Sequence, residues 1–389
     1  MSARSRRPLT ILALVGAGSL LACGARTGLV DVASDVQFDA AADAVRPVDG
    51  APIDTSPATP CSPVSATWSS SIVVEAATSY AIAGDPRCGV FIASGDARND
   101  LSISTLDAHG SFVREPIGLH GAVVSLSATS TALHLLFHDG AALRYVARRD
   151  GLWGPPESID AEGLERGELA VDAAGRVHVV YTATAGKLGE LRYAHRDAGW
   201  SIERVDARSS FEPSLTLDRD GAPIVAYEYV SSPSDHGCVV STRTAGRWSS
   251  TDLPRVDDHW SSAPCTVRAS RDGVVHVTFG AYRSEGNVFR HGFGAIGALR
   301  FETIERLGSF GADPWSAALD STGTLHVAYR AAEPSNPLHA AALRATTPAA
   351  IETVPDAIGA GGVLVALDGA DVVHLTFVRE GKLVHAQRR

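Results

Sequence analysis

Most of what would announce an enzyme or a nucleic-acid binder is missing from this sequence. It holds no Gly-x-Ser-x-Gly elbow, no His-Glu-x-x-His and no Cys-x-x-Cys, the signatures that go with serine hydrolases, zinc proteases and dithiol redox sites. No basic cluster occurs beyond the first residues, and the formal net charge is −10. A surface of that sign repels a phosphate backbone, so nucleic acid is excluded as a partner. No apolar run after the N-terminus is long enough to span a bilayer. Helical periodicity is absent too, and the chain reads as all-β. Nothing calls for a cofactor or a metal. DxxG turns such as DAAG (172–175) and DSTG (320–323) lack the run of oxygen ligands that calcium needs, so they read as tight turns.

The sequence does carry an address. Arg4, Arg6 and Arg7 precede the apolar run LTILALVGAGSLLA and then Cys23, a basic segment followed by a stretch of secretory-signal length. The join LLAC resembles a bacterial lipobox. The resemblance implies removal of residues 1–22 and a lipid anchor on Cys23, which would hold the protein to a membrane. Gly24 stands where aspartate would mark inner-membrane retention, which implies the outer membrane. Residues 23–60 are rich in Asp, Ala and Pro with few large apolar side chains, and read as a disordered, extended tether. Residues 61–389 are the folded domain.

That domain is a repeat. TALHLLF, GRVHVVY, GVVHVTF, GTLHVAY and DVVHLTF place His134, His178, His276, His326 and His374 in one slot. Gly89 and Ile224 fill the two gaps, at intervals of roughly 45–50 residues, the period of β-propeller blades. Each unit shows four short strands with apolar character on both faces, fitting sheets covered on both sides. The last unit ends at its third strand, KLVHAQRR, while ATWSSSIVVEA (66–76) looks like a fourth strand without a blade. A ring left open exposes unpaired edges. The expectation is therefore a seven-bladed propeller, with residues 66–74 completing the blade that runs from about 360 to 389. Six or eight blades stay open, because the first unit is irregular. Five histidines spread round a ring cannot gather on one metal. Each is read as a packing residue between blades, its ring nitrogens satisfied by local backbone groups.

With Cys23 assigned to the lipid, Cys61, Cys88, Cys238 and Cys265 remain. An exported chain favours two disulfides, of which four cysteines allow three pairings. The propeller frame selects Cys61–Cys88 at one face and Cys238–Cys265 at the other.

Between third and fourth strands the repeats read TLDAHGSF (105–112), RRDGLW (148–153), HRDAGW (195–200) and TRTAGRW (242–248). These resemble degenerate Asp-box hairpins of sialidase-like (BNR-type) propellers. In that family the hairpins are structural, so the likeness implies architecture and carries no catalytic residue over. The family's Arg-Ile-Pro motif is absent, and Arg283 with Arg330 does not make its arginine triad. Ligand-binding candidates come from segments that enter first strands (Glu212, Trp260, Asp313, Trp315) or leave second strands (His138, Glu228, Tyr282, Arg283, Arg330, Glu333). Tryptophan beside Arg and Glu suits sugar or peptide recognition if exposed, and fills gaps between blades if buried. The expected function is a monomeric, envelope-anchored binding module for a glycan or protein partner, without catalysis. A sialidase-like glycosidase or polysaccharide lyase using the central funnel is the alternative.

Overall fold

The computed structural model describes residues 67–388 except 108–109, 185–188, 233–234, 255–263, 282–286, 308–314, 332–336 and 345–346. It is a seven-bladed β-propeller of four-stranded antiparallel blades. The blades begin at inner strands Ser79–Gly84, Ala122–Ala128, Gly163–Val171, Ser210 onward, Thr266–Ala269, Ser316–Leu319 and Gly361–Leu367. One continuous strand, Trp200–Leu217, serves as the outer strand of blade three and the inner strand of blade four.

The expected closure is present. Trp68–Val74 pairs antiparallel with Lys382–Arg388 and so becomes the fourth strand of blade seven. The reason lies in a repeated staple at the outer edge. Arg196 and Trp200 of blade three both donate to Glu157 of blade two, at 2.7 and 3.1 Å. Arg243 and Trp248 of blade four hold Glu203 of blade three in the same way. In blade seven Arg388 comes from one end of the chain and Trp68 from the other, and both reach Glu352 of blade six. The N-terminal strand therefore brings the tryptophan that its blade lacks.

At the inner rim, side chains of one blade accept backbone N–H groups of the next. Ser79 accepts from Val123 (2.9 Å), Ser125 from Leu169, Ser214 from Val267 and Ser316 from Val365. These bonds use up inner-edge donors that no neighbouring strand satisfies. The core lies between blades, in apolar clusters that each join adjacent sheets. Where the first and last blades meet, a Cβ on Gly84 would lie 1.8 Å from the Leu367 carbonyl oxygen, so only glycine fits there.

The DxxG segments are turns between first and second strands. Asp172 and Asp320 each accept two backbone N–H bonds, while Gly175 and Gly323 take φ of 80° and 83°. The Asp-box-like segments lie, as expected, at hairpins between third and fourth strands. Cys238–Cys265 is a disulfide, with Cα atoms 5.9 Å apart. Cys88 is disulfide-bonded, while Cys61 and Cys23 lie outside the described residues.

Two readings of the histidine slot need correction. In blade one the slot belongs to Phe91, on the face toward blade two. Gly89 sits in the preceding turn, with φ 96°. The ring nitrogens, moreover, are satisfied by side chains rather than backbone. His134 Nδ1 meets the Tyr145 hydroxyl at 2.7 Å and His178 Nδ1 that of Tyr193 at 2.6 Å. His276 meets His291, and His374 meets His385, both at 3.0 Å. A histidine between two sheets is too far from unpaired backbone to use it, so the third strand supplies a ring instead.

Candidate functional site

The channel through the ring is plugged on the axis. Arg268 on the inner strand of blade five reaches across to Glu168 of blade three at 2.8 Å. It also donates to the Ala317 carbonyl (2.8 Å) and the Ser214 hydroxyl (3.0 Å), while Leu215 N–H donates to the other Glu168 oxygen. A cavity of about 110 Å³ remains, lined by Ser125, Ser316 and apolar side chains of the inner strands.

Of the candidates from sequence, Glu212, Glu228 and Arg330 lie where second strands end or first strands begin. Two of them come together in blade four. Glu228 lies opposite Phe211 in the register, and the bulge between Phe211 and Ser214 holds Glu212. Glu212 is buried and has φ of 46°, a left-handed conformation that a glutamate adopts only under local constraint. Burial, and then the charge of Glu212, pushes the Glu228 carboxyl up to about 8. On the next strand Cys238 stands opposite Glu228, and its disulfide to Cys265 ties this corner to blade five. Arg208 lies over the Tyr229 ring at 4.4 Å from its centre and pairs with Asp206 and Asp252, each at 2.8 Å. A carboxyl that keeps its proton at neutral pH can both donate and accept hydrogen bonds.

Trp315 is not on an exposed face. It is 1% exposed and packs on Phe289, with ring centres 4.9 Å apart. Phe289 in turn meets Tyr329, so Trp315 fills the gap between blades five and six. Arg330 ends the second strand of blade six as expected. Trp260, Tyr282, Arg283, Asp313 and Glu333 lie outside the described residues. Among the described residues no group of three His, Cys, Asp or Glu is placed to hold a metal.

Sequence reasoning missed a set of clamps on the same face. Tyr181 and Arg192 of blade three both bind Asp160 of blade two at 2.7 Å. Tyr227 and Arg208 hold Asp206, and Tyr329 with His339 holds Glu305. The signal was available. Each tyrosine replaces the Phe that ends the motif in blades two, five and seven, and each acid closes the preceding blade. In the first two clamps arginine is neutralised by acids.

No protein-family model matches the chain, and no curated protein does. Among solved structures it is similar to the PL25 ulvan lyase at 9% identity and a TM-score of 0.57, covering 76% of this chain and 88% of that one. Streptogramin B lyase gives 13% identity and a TM-score of 0.54, over 82% and 97% of the two chains. Polysaccharide lyase Uly1 gives 9% and 0.53, over 77% and 87%. At such identities the likeness is one of fold: the chain is a seven-bladed β-propeller.

Proposed function

We propose that this protein is an envelope-anchored recognition module that binds a glycan at the Glu212–Glu228 corner of blade four. The observation that carries the reading is the carboxyl pair itself. Two acids are held together at a loop-bearing face, one in a left-handed conformation and the other pushed up to about 8. Such an arrangement costs stability, and sites that keep it are used for binding or proton transfer. Sugar hydroxyls match a carboxyl that keeps its proton and can donate as well as accept. Polysaccharide lyases with the same fold handle glycans, which supports the class of ligand. In this reading Cys23 carries the lipid and residues 23–60 hold the propeller away from the outer membrane.

The same pair favours one second reading. A carboxyl that stays protonated at neutral pH beside a second acid suits general acid chemistry on a glycosidic bond. A glycan array probed with residues 61–389 tests the first reading: binding should fall at least tenfold in Glu228→Gln and Glu212→Gln. No glycan bound would move the ligand to a protein partner. Release of reducing ends or of unsaturated uronyl ends from the bound polysaccharide would establish the enzyme instead. Palmitate labelling of wild type but not Cys23→Ser tests the anchor.

A further inference from the structure

The histidine slot and the third-strand position it faces vary together from blade to blade. Where the slot holds histidine, the facing residue is a ring with a polar edge: Tyr145, Tyr193, His291 and His385. Where the slot is apolar, the facing residue is apolar too, Phe91 with Ile103 and Ile224 with Val240. Blade six alone breaks the pairing. The register of Leu325–Arg330 against Leu338–Arg344 puts Ala340 opposite Ala328, in the position that the rings occupy elsewhere. His326 keeps its Nε2 bond to Asp320 at 3.0 Å. No described residue donates to or accepts from its Nδ1.

A cavity of about 100 Å³ stands where the ring is missing. His326, Ala340, Leu375, Trp68, Glu352 and Arg388 line it. In sister blades the third-strand ring meets an aromatic side chain of the next blade edge to face: Tyr145 meets Trp200 at 5.5 Å, and Tyr193 meets Trp248 at 5.2 Å. Trp68 is the equivalent tryptophan here, and it faces the cavity. The Arg388 Nε, also at this seam, is buried without a hydrogen-bond partner.

We infer that the seam between blades six and seven is a binding site for a small monocyclic phenol. Its ring would occupy the space left by Ala340, its edge against Trp68, and its hydroxyl would bond His326 Nδ1, repeating the Tyr145 and Tyr193 geometry with a ligand in place of a side chain. At about 100 Å³ the site is smaller than the apolar cavities of about 150 Å³ that take up benzene, so one ring is the most it admits. The site lies at the outer half of the ring and is separate from the carboxyl pair of blade four.

The test is binding of phenol to residues 61–389 by calorimetry and by the ring resonances of His326. Millimolar affinity with a shift of those resonances is expected. Benzene, which lacks the hydroxyl, should bind at least fivefold more weakly. Ala340→Tyr fills the space and should abolish binding while raising Tm. Ala340→Leu fills it without a hydroxyl and should also abolish binding, which covers the case in which the tyrosine variant does not fold. Phenol that shifts neither heat nor resonance, or that binds Ala340→Leu as well as wild type, would overturn the inference.

Discussion

Blades three and four share a strand, Trp200–Leu217, yet treat buried polar groups in opposite ways. In blade three the buried histidine and the partly buried acid at the channel both have complementary neighbours. His178 is bonded to Tyr193 and lies 3.5 Å from Asp172, and Glu168 is matched by Arg268 and the Leu215 N–H. In blade four the histidine slot is Ile224, and the acids that remain, Glu212 and Glu228, crowd each other. The first blade spends its polar groups on holding the ring. The second keeps an arrangement that the ring does not need, which is why it is the better place to look for a ligand.

The two patterns respond to pH in opposite directions, and that is the broadest way to sharpen the comparison. Burial holds His134 and His276 down at about 4 and lowers His178 and His291 as well. The unfolded chain takes up the protons of His134 and His276 below about 6.5, whereas the folded chain resists until about 4. Stability is therefore expected to fall as pH drops from 6.5 to 4, at about 1.4 kcal/mol per pKa unit per group. A series of urea melts across that window measures it, and a flat profile would remove the histidine pairs from the account.

Breaking the well-matched side comes next in size. Arg268→Ala leaves Glu168 partly buried without its cation and removes the bonds to Ala317 and Ser214. A loss of about 3 kcal/mol is expected, seen as a lower urea midpoint with an unchanged slope.

The strained side gives a smaller effect of opposite sign. Glu228 in the folded chain keeps its proton up to about 8, against an ordinary value of 4.5. The folded state binds the extra proton between those values, so this group's contribution is lost as pH rises from about 4.5 to 8. Glu228→Gln should flatten that limb and raise stability at pH 8–9 by about 1–2 kcal/mol, while weakening glycan binding. Unchanged stability at alkaline pH would mean that neither burial nor the Glu212 charge raises this carboxyl.

The smallest change exchanges one blade's chemistry for the other's. His178→Ile with Tyr193→Val copies the apolar pair of blade four into blade three. The double variant should cost less than either single change, because each single change leaves one buried polar ring unmatched. A double-mutant cycle by thermal melts reads the coupling.

The architecture was legible in the sequence because it repeats. One histidine or its substitute per blade set the period, and the tryptophan of ATWSSS marked Trp68–Val74 as a displaced fourth strand. The first blade resisted because Phe91 carries no histidine to align on, so the slot was misplaced by two residues. The site was only partly legible. Position along a strand was enough to choose Glu212 and Glu228, but not to show that a bulge turns Glu212 toward its partner. Trp315 shows the limit most clearly. Its place at the start of an inner strand is the same whether the ring faces solvent or Phe289, and only packing decides.

The closing strand also sets an order of events. Trp68 and Glu352 are 284 positions apart, so their contact must wait until nearly the whole domain has been made. Until then the N-terminal strand is unpaired and can recruit another chain. Synthesis from the N-terminus thus leaves the first strand of the domain to find its place last. Slow synthesis would lengthen that exposure, and a truncation of a few C-terminal residues would do the same damage as deletion of the first strand.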